Sequence, residues 1–235
     1  MSKQPLLSVV VPVFNEEKTI KEIITSVRYA GISNIEIIVV DDGSTDGTRA
    51  LLKKLSSSID ICILRKKNGG KGAALRDGIA KATGKYVVIQ DADLEYDPHD
   101  LPHLLQPLLD DRADVVYGTR FMGSRAHRVV YFWHYLANTY LTLLSNIFNN
   151  VNLTDMETGY KMFRNEVLQK ITITENSFGI EPELTAKVAH MKVRMYEVGI
   201  SYHGRTYEDG KKIGFKDAIR AVWVILKFGI LLKFQ

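Results

Sequence analysis

The chain has 235 residues, of which 46% are hydrophobic and 25% are charged, and its formal net charge is +4 at pH 7. This length allows one large domain with a sizeable core. A long basic tract with interleaved aromatic residues is missing, which argues against a nucleic-acid partner. The single cysteine, Cys62, excludes an intrachain disulfide, and its apolar surroundings predict a buried structural thiol. The first residues lack the features of a signal peptide, so we expect a cytoplasmic protein.

Apolar runs alternate with helix-like segments in the first half of the chain. The pattern predicts strands at residues 8–13, 35–40, 61–64 and 86–90, and helices at residues 16–29, from about 48 to 55, and at 72–82. Strands that are apolar throughout and separated by helices indicate a parallel sheet covered on both faces. We therefore expect the α/β class: a Rossmann-like fold with a mostly parallel central sheet flanked by helices.

The second half is less regular. The sequence predicts a strand at residues 114–117, a loop at 118–127, a helix within 177–192, a strand at 193–202 and a polar loop at 204–212. Between them, residues 129–148 form an apolar segment that approaches the roughly 20 residues of a transmembrane helix. His134 and Asn138 are among the polar residues that interrupt it. This favours an amphipathic helix that covers the core or lies at a membrane surface.

Residues 215–235 are expected to form an amphipathic C-terminal helix after a main domain of residues 1–214. Two interpretations of this helix stay open. It could pack against the core or a second copy of the chain. Alternatively, it could anchor the protein at a membrane, with Trp223 and Phe228 in the lipid and the following cations at lipid phosphates: Lys216, Arg220, Lys227 and Lys233.

Two carboxylates, Asp91 and Asp93, follow the fourth predicted strand directly. In an extended backbone, residues i and i+2 project to the same side, so the two side chains would converge. Two close anions need a proton or a cation between them, and Mg²⁺ or Mn²⁺ with places left for substrate phosphates is the natural choice. Glu95 adds a third oxygen donor. Many Asp-X-Asp sequences are only turns or helix caps, so the position at a strand end carries the metal hypothesis.

Other strand ends bring polar groups to the same rim. Residues 12–17 close the first strand with a proline, an aromatic ring and acids, while Asp41 and Asp42 close the second. The glycine-rich run at residues 67–72 lacks the Walker spacing and is interpreted as a helix entry, although Lys71 could assist a diphosphate. Arg120, Arg205 and Lys211 are candidate phosphate ligands or surface ion-pair partners.

Taken together, these motifs resemble those of family 2 glycosyltransferases of the GT-A fold. The similarity is greatest to polyprenyl-phosphate sugar synthases, such as the dolichyl-phosphate mannose synthases. Its carriers lie in order along nearly the whole chain: Val11–Pro12–Val13–Phe14–Asn15–Glu16, the acidic segment at residues 39–48, Asp91–Ala92–Asp93–Leu94–Glu95, Gly118–Thr119–Arg120, residues 155–161 and residues 204–211.

The resemblance implies a role for each matching residue. The nucleoside of the sugar donor would be held by Pro12, Phe14, Glu16, Val40 and Asp42. Asp91, Ala92 and Asp93 would contact the nucleotide, and the metal ligands would be Asp91, Asp93 and Glu95. Arg120, Arg205 and Lys211 would hold the phosphates of donor and acceptor. Asp155 would lie near the reaction centre, so the implied catalytic group is Asp93, Arg205 and Asp155. Arg128 and His134 are candidates for the acceptor phosphate.

The implied reaction is inverting transfer of a hexose from GDP-mannose or UDP-glucose to a dolichyl or undecaprenyl phosphate. Such an enzyme would be metal-dependent and peripheral on the cytoplasmic face of a membrane, with or without a membrane-protein partner. Two alternatives stay open: transfer to a sugar or protein hydroxyl, with Asp155 or Glu157 as base, and a non-catalytic scaffold that binds nucleotide sugars. A nicotinamide-dependent oxidoreductase is disfavoured because the glycine fingerprint does not follow the first strand.

Overall fold

The computed structural model describes residues 4–123, 128–129, 131–204 and 215–232. The strands in these ranges are β1 (Leu7–Val13), β2 (Ile35–Asp41), β3 (Ile61–Leu64), β4 (Tyr86–Ile89), β5 (Val115–Thr119), β6 (Lys161–Arg164) and β7 (Met195–Gly199). The helices are α1 (Ile20–Arg28), α2 (Thr48–Lys54), α3 (Lys71–Ile79), α4 (Leu101–Leu109), α5 (Phe132–Asn149), α6 (Asn165–Leu168), α7 (Ile180–His190) and α8 (Phe215–Leu231). The alternation predicted for the first half is confirmed.

The strands form one seven-stranded sheet in the order β3-β2-β1-β4-β6-β5-β7. β6 pairs antiparallel with both β4 and β5, whereas the other described pairings are parallel. All described strands except β6 therefore point the same way, and their carboxyl ends share one edge. From β1 the chain adds β2 and β3 on one side, and the later strands, beginning with β4, lie on the other side. Such a switch point opens a crevice at the carboxyl ends of the strands, where ligands bind in open α/β sheets.

Helices cover both faces of the sheet, as predicted. On one face, α1 and α4 bury Ile20, Ile24 and Leu104 against the strands. On the other face, α3, α7 and α8 contribute Leu75, Leu184 and other apolar side chains to a second core. The strands between them are shielded on both sides, which explains why β1, β2 and β4 are apolar at nearly every position.

The elements that are not predicted from the sequence include α4 and β6. α4 carries Pro102 in its first turn and Pro107 further along. Proline is tolerated in a first turn, where the amide has no helical partner, but an interior proline usually marks a helix boundary. β6 has four residues and begins and ends with a cation, so it lacks the long apolar run that marks the parallel strands. Both elements are supported by tertiary contacts.

The prediction for Cys62 is wrong, because its side chain is exposed. β3 lies at the edge of the sheet and pairs only with β2 among the described strands. One face of this strand is half-buried and the other, which carries Cys62 and Leu64, faces solvent. An apolar run therefore does not distinguish an edge strand from a central one.

α5 buries one side and exposes an apolar stripe on another. Leu141, Thr142 and Ser145 are buried. The exposed stripe recurs at helical spacing, with side chains between 45% and 66% exposed: Phe132, Leu136, Tyr140, Leu143 and Ile147. Trp133, beside the stripe, is 74% exposed. The predicted helix is confirmed, but a large part of its apolar surface is left uncovered.

α8 packs on α5 and α7, which corrects part of the membrane-anchor hypothesis. Phe228 is only 7% exposed, and the cations Arg220 and Lys227 both contact Glu175, at 2.6 and 3.1 Å. These groups support packing instead of lipid contact. Trp223 is exposed, as expected of an anchor. Among the described helices, none combines the length and the apolar character needed to cross a bilayer.

Candidate active site

The ends of β1 and β2 are tied together by polar contacts at the crevice. Asn15 adopts a left-handed conformation, with φ of 55°, and its side-chain oxygen accepts a hydrogen bond from the Thr45 amide at 2.8 Å. The Glu16 amide donates to the Thr48 hydroxyl at 3.0 Å. Pro12, Phe14 and Glu16 are each half-buried at this rim. The structure thus brings these three predicted residues to the switch point.

Asp42 is nearly fully buried and is held by donors from the glycine-rich loop. Its carboxylate accepts hydrogen bonds from the Gly69 amide at 2.9 Å and the Gly70 amide at 2.7 Å, and it forms an ion pair with Arg65. Gly70 has φ of 91°, and a Cβ there would lie 2.2 Å from the Asn176 carbonyl oxygen. Asp42 therefore fixes the loop beside the crevice, a task that the sequence analysis did not assign.

Val40 differs from its predicted role in nucleoside binding. Its side chain is fully buried and packs against α3, where a Cβ on Gly78 would lie 3.1 Å from Val40 Cγ2. The alternation of side chains along β2 turns this residue toward the core, away from the rim. The structure therefore does not present the Val40 side chain to a substrate.

Asp91 is paired with Lys71 from the start of α3. The Lys71 Nζ lies 2.8 Å from Asp91 Oδ1 and 3.1 Å from Oδ2, and it also contacts Glu181 Oε1 at 2.9 Å. Burial lowers the pKa of Lys71, but the Asp91 and Glu181 carboxylates outweigh it and raise that pKa well above its usual value. Lys71 is a permanent cation between two acids. Gly159 makes this approach possible, because a Cβ there would lie 2.3 Å from Asp91 Oδ2.

The other acids of the motif have separate environments. β4 ends at Ile89, so residues 91–95 lie beyond the strand and the extended-backbone argument does not apply to them. The Ala92 carbonyl accepts a hydrogen bond from Thr19 at 2.6 Å. Asp93 Oδ1 accepts from the Glu95 amide at 3.2 Å, and Glu95 Oε2 accepts from the Tyr202 hydroxyl at 2.9 Å.

A buried ion pair follows β5. The Arg120 guanidinium grips Asp155 with two hydrogen bonds of 2.7 Å, from Nε to Oδ2 and from Nη2 to Oδ1. Asn138 on α5 contacts both partners, at 3.0 and 3.2 Å. Burial opposes the charge on each side chain, but their attraction dominates: the pKa of Arg120 is raised and that of Asp155 is lowered. The fork is a strong, geometrically specific contact, so both residues are held rigidly.

Sequence analysis missed several residues that position this pair. Glu197 on β7 accepts hydrogen bonds from the Thr154 amide at 2.9 Å and the Asp155 amide at 3.2 Å, so it fixes the turn that carries Asp155. The Tyr202 ring lies 5.2 Å from the Arg120 guanidinium carbon. An acid within an apolar strand, as at Glu197, is the signal that could have indicated a buried partner.

Other predicted residues fall outside this group. Arg205 and Lys211 lie outside the described residues. Arg128 lies against the segment that follows β7, where its amide donates to the Tyr202 carbonyl at 3.0 Å and its Nη1 to the Gly204 carbonyl at 2.9 Å. His134 is half-buried on α5, and its ring packs edge-on against Tyr131.

The donor set decides which residues fit a divalent cation. No three His, Cys, Asp or Glu side chains within the described ranges form a metal cluster. Asp91 fits poorly, because both of its oxygens contact Lys71. Asp93 and Glu95 supply carboxylate oxygens at the rim, the ligand type that Mg²⁺ and Mn²⁺ prefer, and these ions commonly take their remaining ligands from water and phosphate. Asp93 and Glu95 are therefore the acids of this motif that could hold such an ion.

The model of the family described as glycosyl transferase family 2 matches residues 8–172. The chain belongs to this family. This family 2 glycosyltransferase is 28% identical over 198 residues to glycosyltransferase AglJ of Haloferax volcanii, covering 84% of this chain and 63% of that protein. It therefore spans less than two thirds of that relative. It is 26% identical to dodecaprenyl-phosphate galacturonate synthase of Rhizobium johnstonii, covering 97% of this chain and 68% of that protein.

Solved structures confirm the fold class. Glucosyl-3-phosphoglycerate synthase from Mycobacterium tuberculosis, in complex with Mn²⁺, UDP and glucosyl-3-phosphoglycerate, superposes with a TM-score of 0.73 at 22% identity. The match covers 95% of this chain and 80% of that chain. The GT-A architecture expected from the sequence is thus the one that this family 2 glycosyltransferase has.

Proposed function

We propose that this enzyme transfers a hexosyl unit from a nucleotide sugar to a polyprenyl phosphate. The main observation behind the proposal is that α5 borders both the candidate site and an exposed apolar surface. Through Asn138 one side of this helix contacts the Arg120–Asp155 pair, while the stripe from Phe132 to Ile147 exposes apolar surface. A lipid phosphate has this same combination of an anionic head and an apolar chain. The relative that is a dodecaprenyl-phosphate galacturonate synthase supports this acceptor class.

The donor occupies the switch point in this proposal. Pro12, Phe14 and Glu16 lie where the nucleoside would bind, with Asp42 behind the glycine loop. The relatives solved with UDP support a nucleotide-sugar donor, and GDP-mannose and UDP-glucose both remain donors to test. Asp93 and Glu95 would hold Mg²⁺ or Mn²⁺. When bound, the ion neutralises charge on the departing diphosphate.

The proposed reaction is a single displacement with inversion. A phosphate oxygen of the lipid attacks the anomeric carbon and forms the new C–O bond. The bond from that carbon to the nucleoside diphosphate oxygen breaks, and its electron pair leaves with the diphosphate. A phosphate monoester has a second pKa near about 6, so it is already a nucleophile at neutral pH. Asp155 is committed to Arg120 and is not needed as a base; it holds Arg120 toward the phosphates.

The direct test supplies a short polyprenyl phosphate, Mg²⁺ or Mn²⁺ and a panel of nucleotide sugars, and identifies products by mass spectrometry. We expect a glycosyl-phosphoryl lipid with inverted anomeric configuration. Glycosylation of a sugar or protein hydroxyl instead would support the alternative acceptor class. Binding of nucleotide sugars without any transfer would support the scaffold alternative, and a covalent glycosyl-enzyme would contradict the single displacement.

The exposed stripe of α5 is proposed to rest on the bilayer that holds the acceptor. Its Tyr140 and the neighbouring Trp133 are of the residue types enriched at membrane–water interfaces. The triple variant Phe132→Ser, Trp133→Ser, Leu136→Ser should lose most of its binding to vesicles of phosphatidylcholine with phosphatidylglycerol, measured by co-sedimentation. A matched control replaces Tyr29, exposed just after α1, and Leu109, exposed at the end of α4, by serine. Equal binding by all three proteins would contradict a membrane role for α5.

A further inference from the structure

A row of charged side chains joins the two parts of the candidate site. Its donor end is Lys71 with Asp91 and Glu181, and its acceptor end is Arg120 with Asp155. Asp155 pairs with Arg120, while a Cβ on Gly159 would lie 2.3 Å from Asp91 Oδ2, so the segment that carries Glu157 runs from one end to the other. Lys161, which is 1% exposed, is acted on by charges of both ends, Lys71 and Asp155. The Lys161 Nζ donates to the carbonyls of Met156 and Thr158, the two neighbours of Glu157 in the chain. The charges of this row act on one another across the interior.

The row has four carboxyl groups but only three cationic side chains. Its carboxyl groups are Asp91, Asp155, Glu157 and Glu181, and its cations are Lys71, Arg120 and Lys161. Three of the acids have cationic or polar partners, whereas Glu157 Oε1 is buried and has no hydrogen-bond partner among the described residues. Burial raises the pKa of Glu157 to about 8, the Glu181 carboxylate adds to this, and Lys161 and Arg120 oppose it. Burial and the neighbouring carboxylates therefore favour the neutral form of Glu157.

Lys161 remains the cation of the central pair. Burial lowers the pKa of Lys161 to about 8, while the carboxylates of Glu181, Glu157 and Asp155 favour its charge. The ammonium also lies 4.5 Å from the centre of the Tyr117 ring, and its two carbonyl contacts favour the charged form. Of these two neighbours, Glu157 therefore favours the protonated, neutral form, and Lys161 favours the charged form.

The position of Glu157 indicates what it meets. In the proposed reaction the diphosphate lies at the Asp91 end and the attacking phosphate at the Arg120 end, so the group between them is the hexosyl unit. A neutral acid can donate one hydrogen bond and accept another, and it does not repel the flanking phosphates. We propose that Glu157 is a sugar-binding residue, whose carboxylic acid hydrogen-bonds to hydroxyl groups of the transferred hexose. This inference rests on the nucleotide-sugar donor of the proposed function.

The test compares ligands that differ only in the sugar. Calorimetry with Mg²⁺ would measure UDP against UDP-glucose and GDP against GDP-mannose, in wild type, Glu157→Leu, Glu157→Gln and the control Glu166→Leu, which alters an exposed acid on α6. We expect Glu157→Leu to weaken nucleotide-sugar binding by about 5- to 10-fold, as for one lost hydrogen bond, with nucleoside diphosphate binding within about 2-fold. Glu157→Gln, a neutral donor and acceptor, should lose less.

A second measurement needs no variant. Nucleotide-sugar affinity of the wild type should fall above pH 8, as Glu157 ionises, while nucleoside diphosphate affinity falls less. Equal losses for both ligands in Glu157→Leu would show a structural role and overturn the inference, as would unchanged sugar binding. Turnover that rises through pH 8 and vanishes in Glu157→Gln would make Glu157 a general base and also overturn it.

The outcomes separate this inference from the proposed function. Binding is measured without an acceptor, so the sugar-specific loss can appear even if a lipid phosphate is never glycosylated. That combination would refute the lipid acceptor and keep the role of Glu157. If the wild type binds each nucleotide sugar no more tightly than the matching nucleoside diphosphate, the role of Glu157 is refuted. If it binds none of the four ligands, both are refuted.

Discussion

Replacing Lys71 by methionine should lower the free energy of unfolding, because the two buried acids that contact it lose their cation. In the wild type its ammonium lies 2.8 Å from Asp91 and 2.9 Å from Glu181, and the side chain is 19% exposed. At an effective dielectric constant of about 20, each contact is worth about 6 kcal/mol of gross attraction. Desolvation offsets much of this, and breaking a buried pair typically costs about 3–5 kcal/mol. Because Lys71 retains some solvent contact, we expect a loss near the lower limit, about 3 kcal/mol.

Equilibrium urea unfolding, followed by circular dichroism at pH 7, measures this loss. For a chain of this length, about 3 kcal/mol corresponds to a melting temperature lower by roughly 6–12 °C. The matched control is Lys53→Met, at an exposed position of α2, which should stay within about 0.5 kcal/mol of the wild type. Lys71 is charged throughout the neutral range because its pKa is raised, so its contribution is fully present at pH 7 and is lost as the pH rises into the strongly alkaline range.

The double variant Lys71→Met, Glu181→Gln decides whether the loss arises from charge. With the second acid neutral, Asp91 no longer faces another buried anion, so the double variant should be more stable than Lys71→Met alone. Glu181→Gln in the wild-type background should instead destabilise, since Lys71 then loses one partner. If Lys71→Met is as stable as Lys53→Met, or if the two changes simply add, the electrostatic reasoning is wrong.

Two further predictions concern the other acids of the site. Asp93→Ala should abolish metal-dependent turnover and leave the melting temperature within about 2 °C of the wild type, as measured by product formation and thermal unfolding; full activity would refute the metal assignment. Glu157→Gln should become more stable relative to the wild type as the pH rises from 5 to 7.5. The folded-state pKa of Glu157, about 8, exceeds its ordinary value of 4.5, so the native state binds the extra proton and wild-type stability falls with pH across this window. Urea unfolding at pH 5, 6 and 7.5 measures the difference, and a constant difference would contradict the raised pKa.

The parallel half of the sheet was predictable because burial on both faces leaves a local signature. β1, β2 and β4 are apolar at nearly every position, and helices with one apolar face separate them. β6 has no such signature: it is short, and its place between β4 and β5 depends on chain segments far away in sequence. For the same reason, the exposed face of β3 could not be recognised from its four apolar residues.

The site was predictable where a functional residue directly follows a strand. Asp42, Asp91 and Arg120 are found in this way, because topology alone brings strand ends to one edge. The partners of these residues were not predictable. Glu181 on α7 and Asn138 on α5 are far away in the sequence, so no local spacing connects them with Asp91 or Arg120. Sequence reasoning thus located the rim but not the ion pairs that stabilise it.

These ion pairs change how the phosphates are held. Lys71 is already matched by Asp91 and Glu181, and Arg120 by Asp155, so neither cation brings an uncompensated charge to the substrates. In the proposed reaction, two phosphate-bearing substrates would nevertheless add several negative charges to one crevice. In our proposal the compensation would then fall to a metal at Asp93 and to Arg205 and Lys211, which lie outside the described residues. Lys71 and Arg120 would then act as fixed supports, and the positive charge beside the leaving diphosphate would come from the metal that binds with the sugar donor.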